Sequence, residues 1–260
     1  MFMKNIALYY ASRSPKYHWK RDLPDRRDHI YQLAKTALPT SIDLRNFCSP
    51  IEDQGNLGSC TAQAIAGQIE LINRKNSKTH DVSRLFIYYQ ERLLEGTIRY
   101  DSGAYIRDGL KAVNTYGAPL ESIWPYNIRA FAAKPTAGAY ADALRRRVNG
   151  YARCVDFAAV KNALAAGNPV TVGFSVYSSF EGNLNNTTGM MPYPNTATES
   201  YLGGHAVCLV GYRDSDSRFI ARNSWGTSWG NNGYFYMPYQ VIQNTSMSSD
   251  FWMINSVVNP

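Results

Sequence analysis

The chain has little cysteine and little histidine, with four residues of each among 260. Four cysteines are too few for the dense disulfide framework of a small secreted domain, and no spacing of Cys and His resembles a metal site. No run approaches the roughly 20 apolar residues that a transmembrane helix needs. The sequence therefore predicts neither a bound metal nor a membrane span.

The basic charge lacks the pattern of a nucleic-acid-binding surface. The net charge is +7, and an arginine triplet at 145–147 contributes to it. The sequence around the triplet is typical of a helix, in which consecutive side chains point in different directions. The tyrosines follow no pattern of an RNA-binding sheet. We expect a solvated helix here and no nucleic-acid partner.

Helical periodicity precedes strand-like sequence along the chain. Apolar residues recur at helical spacing over 60–95 and 105–116, and short β-rich runs dominate after about residue 165. These runs are 170–176, 204–212, 218–221 and 234–237. The polar stretch 177–201 predicts a surface loop. Helices first and strands later indicate the α+β class.

One cysteine stands at the start of a predicted helix. Cys60 follows Gly58-Ser59 and precedes apolar residues at helical spacing. Unpaired N–H groups and the helix dipole favour negative charge there, so the thiol leans toward thiolate. A cysteine near a helix start is also often only a small apolar side chain. Alone, this stretch makes a modest case for a nucleophile.

Two later motifs strengthen that case. His205 opens the strand-like run 204–212, and it follows Cys60 by 145 residues, a spacing found between nucleophile and base in cysteine enzymes. Asn223 and Trp225 follow it. A base beside a cysteine needs an acceptor that orients it and an aromatic cover that keeps water away. Asn223 is the candidate acceptor, and Trp225 is the candidate cover.

With these motifs the chain resembles the papain-like cysteine peptidases over about residues 38–260. The motifs that carry the resemblance are 38–45, Gln54–Cys60, Trp124–Tyr126, the His205 strand and Asn223–Gly226. Trp19–Asp28 matches a segment found upstream in bacterial members, so a bacterial protein is expected. The resemblance implies a two-lobed α+β fold, with a helical lobe at about 50–135, a β-barrel-like lobe at about 136–260 and the active-site cleft between them.

The resemblance also implies the chemistry. Cys60 would be the nucleophile, His205 the general base and acid, and Asn223 the residue that orients His205. Gln54 would donate its side-chain amide to the oxyanion hole, together with the Cys60 backbone N–H. The implied activity is endopeptidase cleavage through an acyl-enzyme thioester, without a cofactor. The resemblance further implies that the partners are peptide or protein substrates and protein inhibitors, and that the protein is a monomer.

Five residues are implied to bind substrate: Gly103, Ala104, Gly173, Gly203 and Trp225. Gly103 would pair with an extended substrate backbone, and Gly173 and Gly203 would line the pocket for the residue two before the cleavage site. Ala104 replaces a larger side chain at the rim of that pocket. The small wall residues predict a wide pocket that accepts bulky apolar or aromatic side chains.

The sequence departs from the family pattern beside the nucleophile. Leu57 and Thr61 stand where family members usually carry a cysteine and a tryptophan, and Tyr100 occupies the position of that cysteine's disulfide partner. Because both halves of the bridge are replaced, we expect an apolar contact in its place. Thr61 lacks the indole that normally packs near the active site.

The other three cysteines allow one intramolecular disulfide at most. A Cys48–Cys154 pair is conceivable, although no sequence feature supports it. Cys208 lies in the strand-like run after His205, and we expect it to be a buried free thiol.

Residues 1–37 are too short to form a core of their own. Their aromatic and apolar side chains are nevertheless too numerous for a solvated tail: Tyr9, Tyr10, Tyr17, Trp19, Leu23, Ile30 and Tyr31. One hypothesis is a minimal propeptide that docks on the enzyme and blocks part of the cleft. The other is a structural strap on the back of a lobe. The sequence weighs them almost equally.

Two other functions remain open from the sequence. The chain could be a catalytically silent papain-fold binding protein, or an acyltransferase that uses the same Cys/His pair. Retention of all four implied catalytic residues argues against a silent protein. The apolar run at 6–11 is too short and too rich in tyrosine for a confident signal peptide. We favour a secreted or periplasmic protein over a cytoplasmic one.

Overall fold

A computed structural model describes residues 17–33 and 37–258. The sequence predictions for Tyr9 and Tyr10 therefore lie outside the described residues. In the described part no helix is long and apolar enough to cross a membrane.

Three helices form the core of the first lobe: α1 (Cys60–Lys75), α2 (Arg84–Leu94) and α3 (Ile106–Thr115). Helix α1 is buried along nearly its whole length, so its apolar residues pack on every side. Ser83 caps α2 by accepting a hydrogen bond from the Phe86 N–H at 3.1 Å, which is the usual role of serine at a helix start. These helices match the two stretches of predicted helical periodicity.

The second lobe is built on a sheet of seven strands. The strands of this sheet are β2 (Ser41–Asp43), β4 (Tyr151–Cys154), β5 (Val170–Tyr177), β6 (Tyr201–Arg213), β7 (Arg218–Arg222), β8 (Tyr234–Pro238) and β9 (Ser248–Ile254). Their order is β4-β9-β5-β6-β7-β8, and β2 pairs with the far end of β6. Every pair in this sheet is antiparallel. The predicted α+β class is confirmed.

Shorter helices complete the second half of the chain: α4 (Ala137–Ala143), α5 (Phe157–Ala165), α6 (Asn183–Thr188) and α7 (Tyr239–Gln243). The prediction of a plain loop over 177–201 is wrong for α6 and for a turn of 3-10 helix at Ser178–Glu181. Asn185 connects these two helical turns, because its buried side-chain amide donates to the Phe180 carbonyl at 2.7 Å. The expectation of a solvated arginine triplet is wrong at Arg146, which is buried and paired with Asp142.

Helix α1 joins the two lobes. Gln68, near its middle, donates to the backbone carbonyls of Pro169 and Trp252 and accepts from the Thr171 hydroxyl at 3.0 Å. Buried polar groups need such partners, so these bonds fix α1 against β5 and β9. The start of α1 thereby lies beside β6, which carries His205.

All four cysteines are free thiols. A Cys48–Cys154 disulfide is therefore not formed, and the prediction of a buried free thiol at Cys208 is confirmed. Within residues 17–33 and 37–258, no cluster of three or more His, Cys, Asp or Glu side chains could hold a metal ion.

The N-terminal segment, residues 17–33, crosses from one lobe to the other. Strand β1 (Trp19–Lys20) pairs in parallel with β3 (Ala104–Tyr105), and His18 bridges to Gly204 of β6. Farther along, the Tyr31 N–H donates to the Arg153 carbonyl at 2.9 Å on the edge strand β4. The segment is thus bound at two places, first at the start of α1 and then along the sheet edge.

Candidate active site

Cys60 is the first residue of α1 and is completely buried. Burial raises the pKa of its thiol to about 12, although hydrogen bonds from the backbone N–H groups of Ala206 and His18 oppose that rise. The helix start alone predicted a thiolate, but desolvation outweighs the helix dipole here. In this conformation the thiol is neutral at pH 7.

His205 lies on β6, next to Ala206, whose backbone N–H reaches the Cys60 sulfur. Its Nε2 lies 2.8 Å from Asn223 Oδ1. With the amide oxygen as the acceptor, Nε2 carries the proton, so Nδ1 is the basic nitrogen of the neutral ring. The His205–Asn223 bond therefore selects the tautomer that a base requires.

Aromatic rings enclose the His205–Asn223 bond. The Trp225 ring lies 5.0 Å from the His205 ring at an interplanar angle of 31°. Tyr17 and Phe174 each stand edge-on to the imidazole at 5.9 Å. His205 is completely buried and Asn223 almost so. Trp225 thus has the position of the predicted aromatic cover, and the bond lies away from water.

Gln54 is fixed by both ends of its side-chain amide. Its Nε2 donates to the Leu57 carbonyl at 2.9 Å, and its Oε1 accepts from the Ser224 hydroxyl at 2.7 Å. The Tyr126 hydroxyl donates to the Gln54 backbone carbonyl at 3.0 Å. Ser224 therefore prevents the amide from flipping, a role that the sequence analysis did not identify although Ser224 stands inside the Asn223–Gly226 motif.

Residues 17–19 lie against the predicted substrate-binding residues. A Cβ atom on Gly103 would come closer than 3.0 Å to the His18 carbonyl, and one on Gly173 would come equally close to the Trp19 indole. Ala104 is the strand partner of Trp19, and Trp225 lies 5.7 Å from the Tyr17 ring. The segment thus fits this surface because the side chains of the surface are small.

The two glycines at 203 and 204 have separate neighbours. A Cβ on Gly203 would meet Tyr17, whereas one on Gly204 would meet Trp19. The walls against the Trp19 indole are therefore Gly173 and Gly204, and Gly203 lies against Tyr17. Gly204 was not among the residues predicted to bind substrate, and the assignment of Gly203 stays a prediction.

Two acidic side chains bind residues 17 and 20 of the N-terminal segment. The Tyr17 hydroxyl donates to Glu181, and Lys20 Nζ forms an ion pair with Glu95 Oε2 at 2.6 Å. No spacing in the sequence relates these residues, since they come from separate loops and helix ends. Only the tertiary fold brings them to the same groove.

The expected apolar contact between Leu57 and Tyr100 is wrong. Leu57 is buried, but Tyr100 is 70% exposed. The next residue makes the link instead, because Asp101 accepts from the Gly58 N–H at 3.0 Å and from the Tyr88 hydroxyl. A polar link thus joins the two loops at the positions where the resemblance places a disulfide.

Thr61, at the position where the resemblance places a tryptophan, directs a hydroxyl into the helical lobe. Its Oγ1 donates to Glu91 Oε2 at 2.8 Å. Glu91 is completely buried, and burial raises the pKa of its carboxyl well above the usual range. The substitution therefore fixes the first turn of α1 to α2 by a hydrogen bond rather than by ring packing.

Comparison with known proteins gives concordant matches. The protein family described as papain family cysteine protease matches residues 38–254 of this chain. An uncharacterised peptidase C1-like protein of Acanthamoeba polyphaga mimivirus is 38% identical, over a match that covers 95% of this chain and 89% of the viral protein. The crystal structure of xylellain, a cysteine protease from Xylella fastidiosa, is 39% identical with a TM-score of 0.86. That match covers 94% of this chain and 97% of xylellain.

A more distant structure gives the fold alone. Bromelain from Ananas comosus, solved with the inhibitor E-64, is 21% identical with a TM-score of 0.63. The match covers 86% of this chain and all of the bromelain chain, 100%. The predicted similarity to bacterial proteins is confirmed by xylellain. The bacterial origin of this chain stays a prediction, since a viral protein is similar to it at nearly the same identity.

Proposed function

Because the chain belongs to the papain family of cysteine proteases, we propose that it is an endopeptidase whose catalytic residues are Cys60, His205, Asn223 and Gln54. The observation that carries this proposal is the 2.8 Å bond between His205 of β6 and Asn223, which directly follows β7. His205 is the neighbour of Ala206, whose N–H reaches the Cys60 sulfur. This arrangement supplies a nucleophile, a base and an orienting group, as covalent catalysis requires.

The proposed reaction has two stages. His205 takes the Cys60 proton, and the sulfur attacks the peptide carbonyl to form a tetrahedral oxyanion. The second Gln54 amide hydrogen, beside the one bound to Leu57, and the Cys60 backbone N–H would stabilise that oxyanion. The imidazolium then gives its proton to the leaving amine, which departs and leaves a thioester. Water, deprotonated by His205, hydrolyses the thioester and restores the thiol.

We also propose that residues 1–37 are a propeptide-like extension, ahead of a peptidase domain at 38–260 with lobes at about 50–135 and 136–260. Tyr17, His18 and Trp19 lie against the proposed substrate surface, and Tyr17 stands edge-on to His205. The group of His18 that meets the Cys60 sulfur is its N–H. This N–H fills the place beside the nucleophile, so residues 17–19 would occupy the cleft while docked.

The strap hypothesis describes the rest of the segment. Asp28 accepts hydrogen bonds from Arg107 at 2.7 Å and Arg153 at 3.2 Å, which come from different lobes. Residues 28–31 would brace the fold, and residues 17–20 would close the cleft. A propeptide and a strap are then successive parts of one segment.

A fluorogenic peptide assay on the full chain, with and without prior E-64 treatment, tests the proposed activity. Hydrolysis that E-64 abolishes supports a cysteine endopeptidase. A silent binding protein would give no turnover, and an acyltransferase would transfer the acyl group to an added amine faster than to water. We expect peptide and protein substrates, susceptibility to protein inhibitors of cysteine peptidases, and a monomer.

A further inference from the structure

The Glu95 carboxylate lies beside Lys20, the residue that follows Trp19 in strand β1. Glu95 follows the last residue of α2, and its side chain is only 6% exposed. One carboxylate oxygen accepts from the Tyr105 backbone N–H at 3.0 Å. The other accepts from Lys20 Nζ at 2.6 Å. Both oxygens of this nearly buried group are thus used while the segment is docked.

The surroundings of Glu95 suit a cation. Lys20 Nζ lies 5.4 Å from the centre of the Tyr105 ring as well as beside the carboxylate. A carboxylate attracts an ammonium or guanidinium by charge, and the face of an aromatic ring adds a second attraction. The cation is partly shielded from water, since the Lys20 side chain is 30% exposed. An ion pair in such a place is stronger than a fully exposed one.

Departure of the segment would leave the Glu95 carboxylate without its cation. Burial raises the pKa of Glu95, and the hydrogen bond from Lys20 is the first effect that opposes this rise. The nearby negative charge of Asp108 acts in the same direction as burial. The vacated carboxylate keeps the Tyr105 ring beside it, so the site favours a new cation in place of Lys20.

The position of this site relative to Cys60 follows from strand β1. Trp19 pairs with Ala104 and lies against Gly173, while Lys20 pairs with Tyr105, one residue farther along. Residue 18, on the other side of Trp19, contacts the Cys60 sulfur. The Glu95 site is therefore one residue farther from the nucleophile than the Trp19 pocket.

We infer that Glu95 and Tyr105 form a subsite for a lysine or arginine side chain of the substrate. This inference rests on the proposed function and names its substrate class. A preferred substrate carries a bulky apolar residue two before the cleavage site, in the Trp19 pocket, and a basic residue three before it. Lys20 of the docked segment occupies the place of that basic residue.

Two matched fluorogenic peptides test the subsite. Both carry phenylalanine two before the cleavage site, and they differ three before it, where one has lysine and the other the uncharged norleucine. The ratio of their kcat/KM values is measured on the full chain. Both peptides require the same open form of the enzyme, so the fraction of open molecules cancels in the ratio. We expect about a tenfold preference for lysine.

The variant Glu95→Gln removes the charge and keeps an oxygen for the Tyr105 N–H. The lysine preference should fall to about twofold or less in this variant. Asp108→Asn is the matched control, because it removes a nearby negative charge that has no contact with Lys20. The preference should persist in that control.

The outcomes separate this inference from the proposed function. Hydrolysis of both peptides at equal kcat/KM overturns the subsite and leaves the endopeptidase proposal standing. A preference that survives Glu95→Gln also overturns the subsite. No hydrolysis of either peptide and no covalent labelling of Cys60 by E-64, both in the full chain and in Trp19→Ala, which lacks the side chain that fills the pocket, overturns the proposed function and the subsite together.

Discussion

The Trp19 indole packs against the α-carbon of Gly173, in the space that any larger residue at 173 would fill with its side chain. Trp19 is buried and belongs to the same hydrophobic core as the start of α1. One aromatic residue of the N-terminal segment thus occupies the pocket that the sequence assigns to substrate.

Replacing Trp19 with alanine should open the cleft. Removal of a buried tryptophan typically costs about 3–5 kcal/mol, so the docked segment should lose most of its stability. Water then reaches Cys60, and the desolvation that raises the pKa of its thiol disappears. We expect Cys60 in Trp19→Ala to react with iodoacetamide at least about tenfold faster at pH 7 than in the unmodified chain. Peptide mapping by mass spectrometry measures the rate at Cys60 alone.

Leu23→Ala provides the control for that experiment. Leu23 belongs to the same segment, but its side chain is 73% exposed. Cys60 of the Leu23→Ala variant should be alkylated at the same rate as Cys60 of the unmodified chain. Equal rates in all three proteins would show that Trp19 does not close the cleft in solution.

Substitution of the nucleophile should abolish peptidase activity without unfolding the protein. Cys60→Ala removes only a sulfur atom from the start of α1, so the circular dichroism spectrum should be unchanged. Cys48→Ser is the matched control, because Cys48 is a free thiol outside the site. It should retain most activity. Undiminished peptide turnover by Cys60→Ala would refute the assignment of the nucleophile.

Gln54→Ala should lower kcat by about a hundredfold or more, since loss of an oxyanion-hole donor typically costs about 3 kcal/mol. Because Ser224 only fixes the orientation of the Gln54 amide, Ser224→Ala should cost several-fold. Steady-state kinetics on one peptide gives both values. A Gln54→Ala loss confined to KM would contradict a role in the transition state.

The pocket left by Trp19 should accept large side chains. Its walls at Gly173 and Gly204 carry no side chains, and Trp19 already fills it. A peptide library varied at the residue two before the cleavage site should therefore favour Phe, Trp, Leu or Tyr. Preference for Ala or Gly at that position would mean that neighbouring side chains close the pocket once the segment has left.

Two buried carboxyl groups make docking of the segment depend on pH. The Asp22 backbone N–H donates to Asp250 Oδ2 at 2.8 Å, and the Trp252 indole donates to Asp22 Oδ2 at 2.9 Å. Burial and then the charge of Asp250 raise the pKa of Asp22 from 3.8 to about 7, against the opposing effects of Trp252 and Arg107. Burial raises the pKa of Asp250 as well, and Arg153 opposes that rise.

The sign follows from proton uptake. Asp22 binds its proton more tightly when docked than when free, so docking is most favourable below about pH 4 and weakens as the pH rises through about 7. Activity of the full chain should therefore increase, relative to that of Asp22→Asn, between about pH 5 and 8. The ratio of the two kcat/KM values removes the pH dependence of catalysis itself. A ratio that stays constant, or falls, would contradict the role of this pair.

The elements that carry the proposed site were easier to predict from the sequence than the path of the N-terminal segment. Helix α1 and strands β5 and β6 carry continuous apolar patterns, so the elements that hold Cys60 and His205 could be recognised locally. Strand β1 has two residues, and its partner β3 lies far along the chain, as does Gly204, the bridge partner of His18. No local pattern encodes such a contact. Its path depends on the space left by glycines, which becomes apparent only after folding.

The link between the loops beside Cys60 could not be predicted for a different reason. The absence of two cysteines suggested an apolar contact between Leu57 and Tyr100. Instead, the residues that follow them make the connection, by a hydrogen bond from the Gly58 backbone N–H to the Asp101 carboxylate. A hydrogen bond of this kind depends on the orientation of one backbone N–H, and sequence does not specify it. Glu95 and Lys20 were missed likewise, because 75 positions separate them.

The covalent connection between β1 and the peptidase domain has a consequence for dilution. Residues 17–20 and the cleft belong to one chain, so the cleft experiences an effective segment concentration in the millimolar range, however dilute the protein is. Even weak docking then keeps most molecules closed, and lowering the protein concentration does not activate them. A single cut between Lys20 and Leu38 would make the association bimolecular, and the released segment would then dissociate at low concentration.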